Sequence, residues 1–184
     1  MKLLSLVLVL SGLSLGWAQA QILKNGDFSN GRTHWQGTAG TVVTLDDVPQ
    51  LQVVLNKTIT KDLKQRLKLP AQYKGGCAVT VVLKTSDDFA LNEKAPCWSS
   101  GLNWKIPSRH VNWSRIVNPK ADFYMRLDGE NYNYVLRALK VGGDWQTITG
   151  NIDFLGFSQQ SQLVLVFPAG TGTIWVKSVE LELE

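Results

Sequence analysis

The sequence has few side chains suited to metal or redox chemistry, with two His and two Cys in 184 residues. So few ligands leave little material for a multi-ligand metal or haem site. Charge is also sparse, at 18% of residues, and its formal excess of +4 is dispersed rather than gathered in a run. A nucleic-acid partner normally announces itself as a basic face or run, so none is expected. Helix signals are nearly absent. Apolar and aromatic residues are plentiful, at 44% hydrophobic with seven Trp, four Tyr and six Phe. Disordered chains are poor in such residues, so the composition predicts a folded chain, and its length predicts one domain.

Part of that apolar content lies at the start. Met1-Lys2 opens with positive charge, Leu3 to Leu15 is apolar apart from Ser and Gly, and Ala18-Gln19-Ala20 has the small-x-small pattern that signal peptidase cuts after. This predicts a signal peptide over 1–20 and a single domain over 21–184, secreted or held in a periplasm or at a cell surface. The run is shorter than the roughly 20 apolar residues of a membrane span. No Cys follows it that could carry a lipid. Removing the leader also removes Lys2, which lowers the formal charge by one, and Trp17.

Export changes the reading of Cys77 and Cys97. In an oxidising compartment a bridge between them would close a loop of about twenty residues, worth about 3 kcal/mol. A pair of buried thiols is the competing reading, because Cys77 begins a very apolar stretch. The cysteine arithmetic favours the disulfide.

Strand signals dominate the rest. Thr41–Leu45 and Gln50–Leu55 are β-branched runs separated by the turn cluster Asp46-Asp47-Val48-Pro49. Cys77–Lys84 is nearly continuous apolar, as expected of a central strand buried on both faces. Trp145–Phe154, Gln162–Phe167 and Thr173–Leu183 follow, the last with a phase slip at Lys177-Ser178 that predicts a bulge. Many short strands with Gly-rich turns predict an all-β antiparallel sandwich or barrel.

One hairpin can be registered. Pairing Leu127 with Tyr132 across Asp128-Gly129-Glu130-Asn131 sets Met125 opposite Tyr134 and Phe123 opposite Leu136, an apolar face. The other face then pairs Asp122 with Arg137, Tyr124 with Val135 and Arg126 with Asn133. Residues 86–120 form a long stretch without clean alternation, holding Trp98, Trp104 and Trp113. Loops beyond about 15 residues are usually functional or disordered, and three Trp argue against disorder. Such rings either tuck the loop onto the sandwich or present faces on which a sugar can stack.

The order of segments resembles a known family. Ile22-Leu23-Lys24-Asn25-Gly26-Asp27-Phe28 with Gly31 and Trp35, Lys68-Leu69-Pro70 into Tyr73, Asp144–Gly150 and Thr173–Leu181 are similar to successive segments of carbohydrate-binding modules of the family 4/9/16/22 type. The resemblance implies a galactose-binding-like jelly roll. It also implies a polysaccharide or glycan partner lying across a sheet face or the loops at its edge. The residues here that fit that expectation are Trp98, Trp104, Trp113, Tyr124, Arg126 and Asn133. Members often hold a structural calcium using a carboxylate just after the NG-x-F motif and an Asp in the closing strand. Calcium needs hard, mostly anionic oxygens. This chain has Ser29 and Lys177-Ser178 at those positions, so the metal site is expected to be lost. Lys177 is expected to bring its ammonium near the ion's place, with Asp27 as a partner.

Catalysis finds little support. His34 and His110 have no nucleophile–base arrangement around them. Asp46-Asp47 and Asp87-Asp88 are adjacent, so in a strand they would point to opposite faces; they read as turn residues. Asn56-Lys57-Thr58 and Asn112-Trp113-Ser114 are glycosylation sequons. The sequence therefore reads as a secreted, non-catalytic glycan binder with no cofactor. The alternatives are a surface protein that self-associates through its alternating final strand, and a small secreted glycoside hydrolase needing two carboxylates about 5–10 Å apart.

Overall fold

The computed structural model describes residues 22–70, 73, 75–92, 123–128, 134–153 and 161–184. Two antiparallel sheets face each other. One has the order β1 (Thr41–Leu45), β2 (Val48–Val54), β11 (Thr173–Leu183), β4 (Gly76–Thr85), β8 (Gln146–Asp153). The other runs β3 (Lys61–Arg66), β9 (Gln162–Phe167), β6 (Phe123–Asp128), β7 (Tyr134–Arg137). A short pair, β5 (Ala90–Leu91) with β10 (Gly170–Thr171), closes one side. The chain is an all-β antiparallel sandwich of jelly-roll type. Among the described residues no helix is long and apolar enough to cross a membrane.

Alternation decides which side chains meet between the sheets, since successive side chains on a strand point to opposite faces. From β4, Cys77, Val79, Val81 and Leu83 turn inward and are fully buried, as are Leu51 and Val53 of β2 and Ile174 and Val176 of β11. Opposite them stand Leu63 of β3, Met125 of β6 and Leu163, Leu165 and Phe167 of β9. The expectation that β4 is buried on both faces is corrected, because its alternate residues are only half-buried. Among the described residues the five-stranded sheet is covered on one side, and its other side is outer surface. No disulfide is seen at Cys77, whose side chain packs in this core, and Cys97 lies outside the described residues.

The bulge expected near Lys177-Ser178 is present: the register of β11 against β4 shifts between Val176 and Ser178. The β1–β2 turn is tighter than the sequence suggests. Leu45 pairs with Val48, so only Asp46 and Asp47 turn the chain, and Pro49 lies inside β2. Both aspartates have positive φ, 52° and 59°, which is the two-residue turn whose twist suits a hairpin. Pro49 is tolerated because β11 joins β2 only from Leu51 onward.

The registered hairpin is off by one residue. Met125 pairs with Val135, Tyr124 with Leu136, Phe123 with Arg137 and Arg126 with Tyr134. Phe123, Met125 and Leu127 do face the core, as expected. What fixes β6 is its other neighbour, β9, through pairs such as Met125 with Leu165. The edge strand β7 has β6 as its one neighbour in the sheet, so its register is held from one side only. The final strand β11 is not an edge either: β2 flanks Thr173–Val176 and β4 pairs along it. Self-association by adding a neighbour to β11 therefore loses its structural basis over those residues.

The N-terminal segment straps the two sheets together. Val179 of β11 donates its amide to the Gly26 carbonyl at 2.8 Å, while Gln36 and Lys64 of β3 exchange backbone bonds at 2.9 and 2.8 Å. Asn25 ties the loop between: its amide donates to the carbonyls of Gly31 and Thr33, and its side-chain oxygen accepts from Asn30. Phe28 and Trp35 pack against each other inside, ring centres 5.8 Å apart, and the Trp35 indole N–H donates to the Asn25 carbonyl at 2.8 Å. This is the physical content of the opening motif.

Candidate functional site

Of the six residues singled out for ligand binding, the structure describes two. Trp98, Trp104, Trp113 and Asn133 lie outside the described residues. Tyr124 and Arg126 sit two apart on β6 and so share its outward face. Across β9, Tyr124 is level with Val166 and Arg126 with Val164. One strand further, Val166 is level with Asp62 and Val164 with Lys64 of β3. Two polar rows thus flank an apolar strip. Val164 and Val166 are each only 1% exposed although they point away from the core. Tyr124 is half-buried and Arg126 is 9% exposed, so this face is sheltered rather than open. Asp62 is committed to structure, since its carboxylate accepts from the amide and hydroxyl of Thr38.

The second outer face, on the five-stranded sheet, carries two aromatic residues, Trp145 and Trp175. Trp175 lies between Ile174 and Val176, both fully buried, and therefore points outward. It is level with Lys84 on β4 and with Gln52 on β2. Leu83 pairs with Gln146, so one step further along the ladder Lys84 comes level with Trp145. The row Trp175–Lys84–Trp145 spans three neighbouring strands. Lys84 Nζ lies 4.7 Å from the centre of the Trp145 ring and 5.5 Å from that of Trp175. Lys177, displaced by the bulge, holds its Nζ 5.8 Å from the same Trp145 ring. Trp145 is 38% exposed, and the Trp175 indole nitrogen is buried with no acceptor. The signal was available, because a Trp flanked by two inward β-branched residues must face out.

The calcium implied by the sequence resemblance is tested by the donor set. Asp27 Oδ1 accepts from the amide of Ser29 at 3.1 Å and from its hydroxyl at 2.9 Å. Those two bonds hold the Asp27 carboxyl below its ordinary value, the backbone one contributing most. Among the described residues no group of three or more His, Cys, Asp or Glu converges as a metal site. Among the described residues, then, the mostly anionic ligand set that such an ion prefers is not gathered at Asp27. Lys177, expected to stand near the ion's place, instead directs its ammonium to Trp145.

No protein-family model matches the chain. No curated protein matches it either. Among solved structures, it is similar to a family 61 carbohydrate-binding module in complex with β-1,4-galactotriose, with a TM-score of 0.55 at 12% identity over 89% of this chain and 99% of that one. A family 16 carbohydrate-binding module gives a TM-score of 0.54 at 13% identity, covering 88% and 99%. A family 4 module gives 0.52 at 12%, covering 87% and 98%. The chain has the jelly-roll sandwich fold of these modules, over nearly their whole length.

Proposed function

We propose that this chain is an exported glycan-binding protein that holds its ligand without chemistry. The observation that carries the reading is the near end-to-end likeness to three carbohydrate-binding modules, one solved with a β-1,4-linked galactotriose. A fold hosts many activities, so binding also requires side chains that can take a sugar. Tyr124, half-buried on the outer face of β6 beside the buried strip of Val164 and Val166 and across it from Lys64, is the candidate there for stacking on a sugar ring. Sugar rings offer C–H faces to apolar and aromatic surface while their hydroxyls take hydrogen bonds from such polar groups. Trp98, Trp104, Trp113 and Asn133 are candidates for the same ligand on their sequence alone. On this reading the mature chain begins at Gln21, outside the cytoplasm, with Cys77 and Cys97 able to pair there.

A glycan array and affinity electrophoresis in gels containing β-1,4-galactan, xylan or β-glucan test the reading. Retardation by one polysaccharide, reduced at least several-fold by Tyr124→Ala, is the expected result. A folded protein that binds no glycan overturns it. N-terminal sequencing of the exported product, expected to start at Gln21, tests the leader.

A further inference from the structure

We propose that the outer face of the five-stranded sheet is a second, separate site, one that binds a carboxylate-bearing saccharide such as a uronic-acid polymer. Lys84 and Lys177 direct two ammonium groups to one ring, that of Trp145, at 4.7 and 5.8 Å. A lysine on an open sheet face ordinarily extends into water. Here two of them are held over an indole, within the roughly 6 Å at which a ring's negative face attracts a cation. Neither ammonium has a carboxylate or hydrogen-bond partner among the described residues. Like charges brought to one place repel, and an anion set between them is attracted to both.

The surroundings fit a sugar acid better than a bare anion. Below the row lie hydroxyls: Thr147 and Ser178 are each level with Val82, and Thr80 Oγ1 lies 3.3 Å from Thr149 Oγ1 one row further. These can exchange hydrogen bonds with saccharide hydroxyls while the carboxylate meets the ammonium groups. Trp175 and Trp145 stand two strands apart, about 9–10 Å, so the row is wide enough to carry more than one ring. Glu180 is level with Thr80, about 13 Å along β4 from Lys84 and about 10 Å along β11 from Lys177, and pairs with neither among the described residues. Trp145 acts as a positioning residue: by fixing two flexible side chains it removes ordering cost that binding would otherwise carry.

The choice of a saccharide rests on the glycan-binding reading; the place and the charge do not. The test is affinity electrophoresis and calorimetry of the mature protein with polygalacturonate. Neutral galactan, dextran sulfate and a single-stranded oligothymidine serve as comparison ligands. Polygalacturonate is expected to bind about tenfold more weakly to Lys84→Gln or Lys177→Gln. Trp145→Ala should lose a similar factor and Trp145→Phe should regain part of it, while Tyr124→Ala leaves this affinity unchanged. Thermal melts of the variants show that they fold. Undiminished polygalacturonate binding by the Lys84 and Trp145 variants overturns the proposal, as does equal binding of dextran sulfate or oligothymidine. A protein that binds galactan but not polygalacturonate removes this site and leaves the first reading standing. One that binds no glycan removes both.

Discussion

The amide of Val179 donates to the carbonyl of Gly26 at 2.8 Å, and a Cβ built on Gly26 would stand 2.0 Å from the Val179 carbonyl oxygen. The opening segment therefore lies flat against the last strand, just beyond its bulge, at a distance only glycine permits. Gly26→Ala must push two backbones apart. Overpacking of this kind costs about 1–3 kcal/mol, so a loss in that range is expected by chemical denaturation. Gly143→Ala is the control, because a Cβ there meets nothing within 4 Å and the residue does not need a positive φ. Its stability should stay within about 0.5 kcal/mol of the parent.

That contact also shows how far the sequence could be read. The Asn25-Gly26-Asp27-Phe28 motif was legible as an opening because close backbone approach, a tethering Asn side chain and a buried Phe each demand a particular residue. The bulge at Lys177-Ser178 was legible because alternation changes phase there. The register of β6 with β7 was not, since β7 is an edge strand with one neighbour in the sheet to fix it. Trp145 and Trp175 were visible as letters, but their meeting with Lys84 depends on which strands become neighbours. β4 and β11 lie about ninety residues apart in the chain, and only the sheet order brings them together.

Gln65 is a buried polar residue on β3, 3% exposed, and both ends of its amide are used. Its oxygen accepts from the Lys24 amide at 2.6 Å and its nitrogen donates to the Lys24 carbonyl at 2.8 Å. Gln65→Leu removes both bonds and leaves the Lys24 groups unmatched, which is expected to cost about 1–3 kcal/mol. Gln65→Glu is more informative. The protonated acid can still donate to the Lys24 carbonyl, but the carboxylate cannot. Its folded pKa should rise above the ordinary glutamate value of about 4.3, so the variant should be nearest the parent below that pH and weaken as pH rises. Urea midpoints measured across acid to neutral pH check this, and a flat difference between variant and parent would refute it.

The β1–β2 turn can be improved. Asp46 and Asp47 hold positive φ, a region aspartate tolerates but glycine occupies freely. Asp47→Gly is expected to raise stability by about 0.5–1 kcal/mol, since Asp-Gly is a favoured sequence for this turn. Asp47→Val should lower it by about 1–2 kcal/mol, because a β-branched side chain is poorly accommodated at positive φ. Urea midpoints at unchanged m-value measure both, and a valine variant as stable as the parent would refute the turn geometry.

Asp27 and Ser29 make the N-terminal loop sensitive to acid. The Ser29 amide and hydroxyl both donate to the Asp27 carboxylate, and they hold its pKa below the ordinary value. A carboxyl lowered in the folded state adds stability above its unfolded pKa, near 3.9, and that contribution disappears as pH falls through the folded value. Ser29→Ala keeps the amide bond and removes the hydroxyl bond. The Asp27 pKa should therefore move upward part of the way and stop short of the unfolded value, because the amide is the larger of the two causes. Carbon-detected NMR titration of the Asp27 carboxyl in parent and variant reads this directly. An unchanged pKa in Ser29→Ala would show that the hydroxyl bond does not hold the charge.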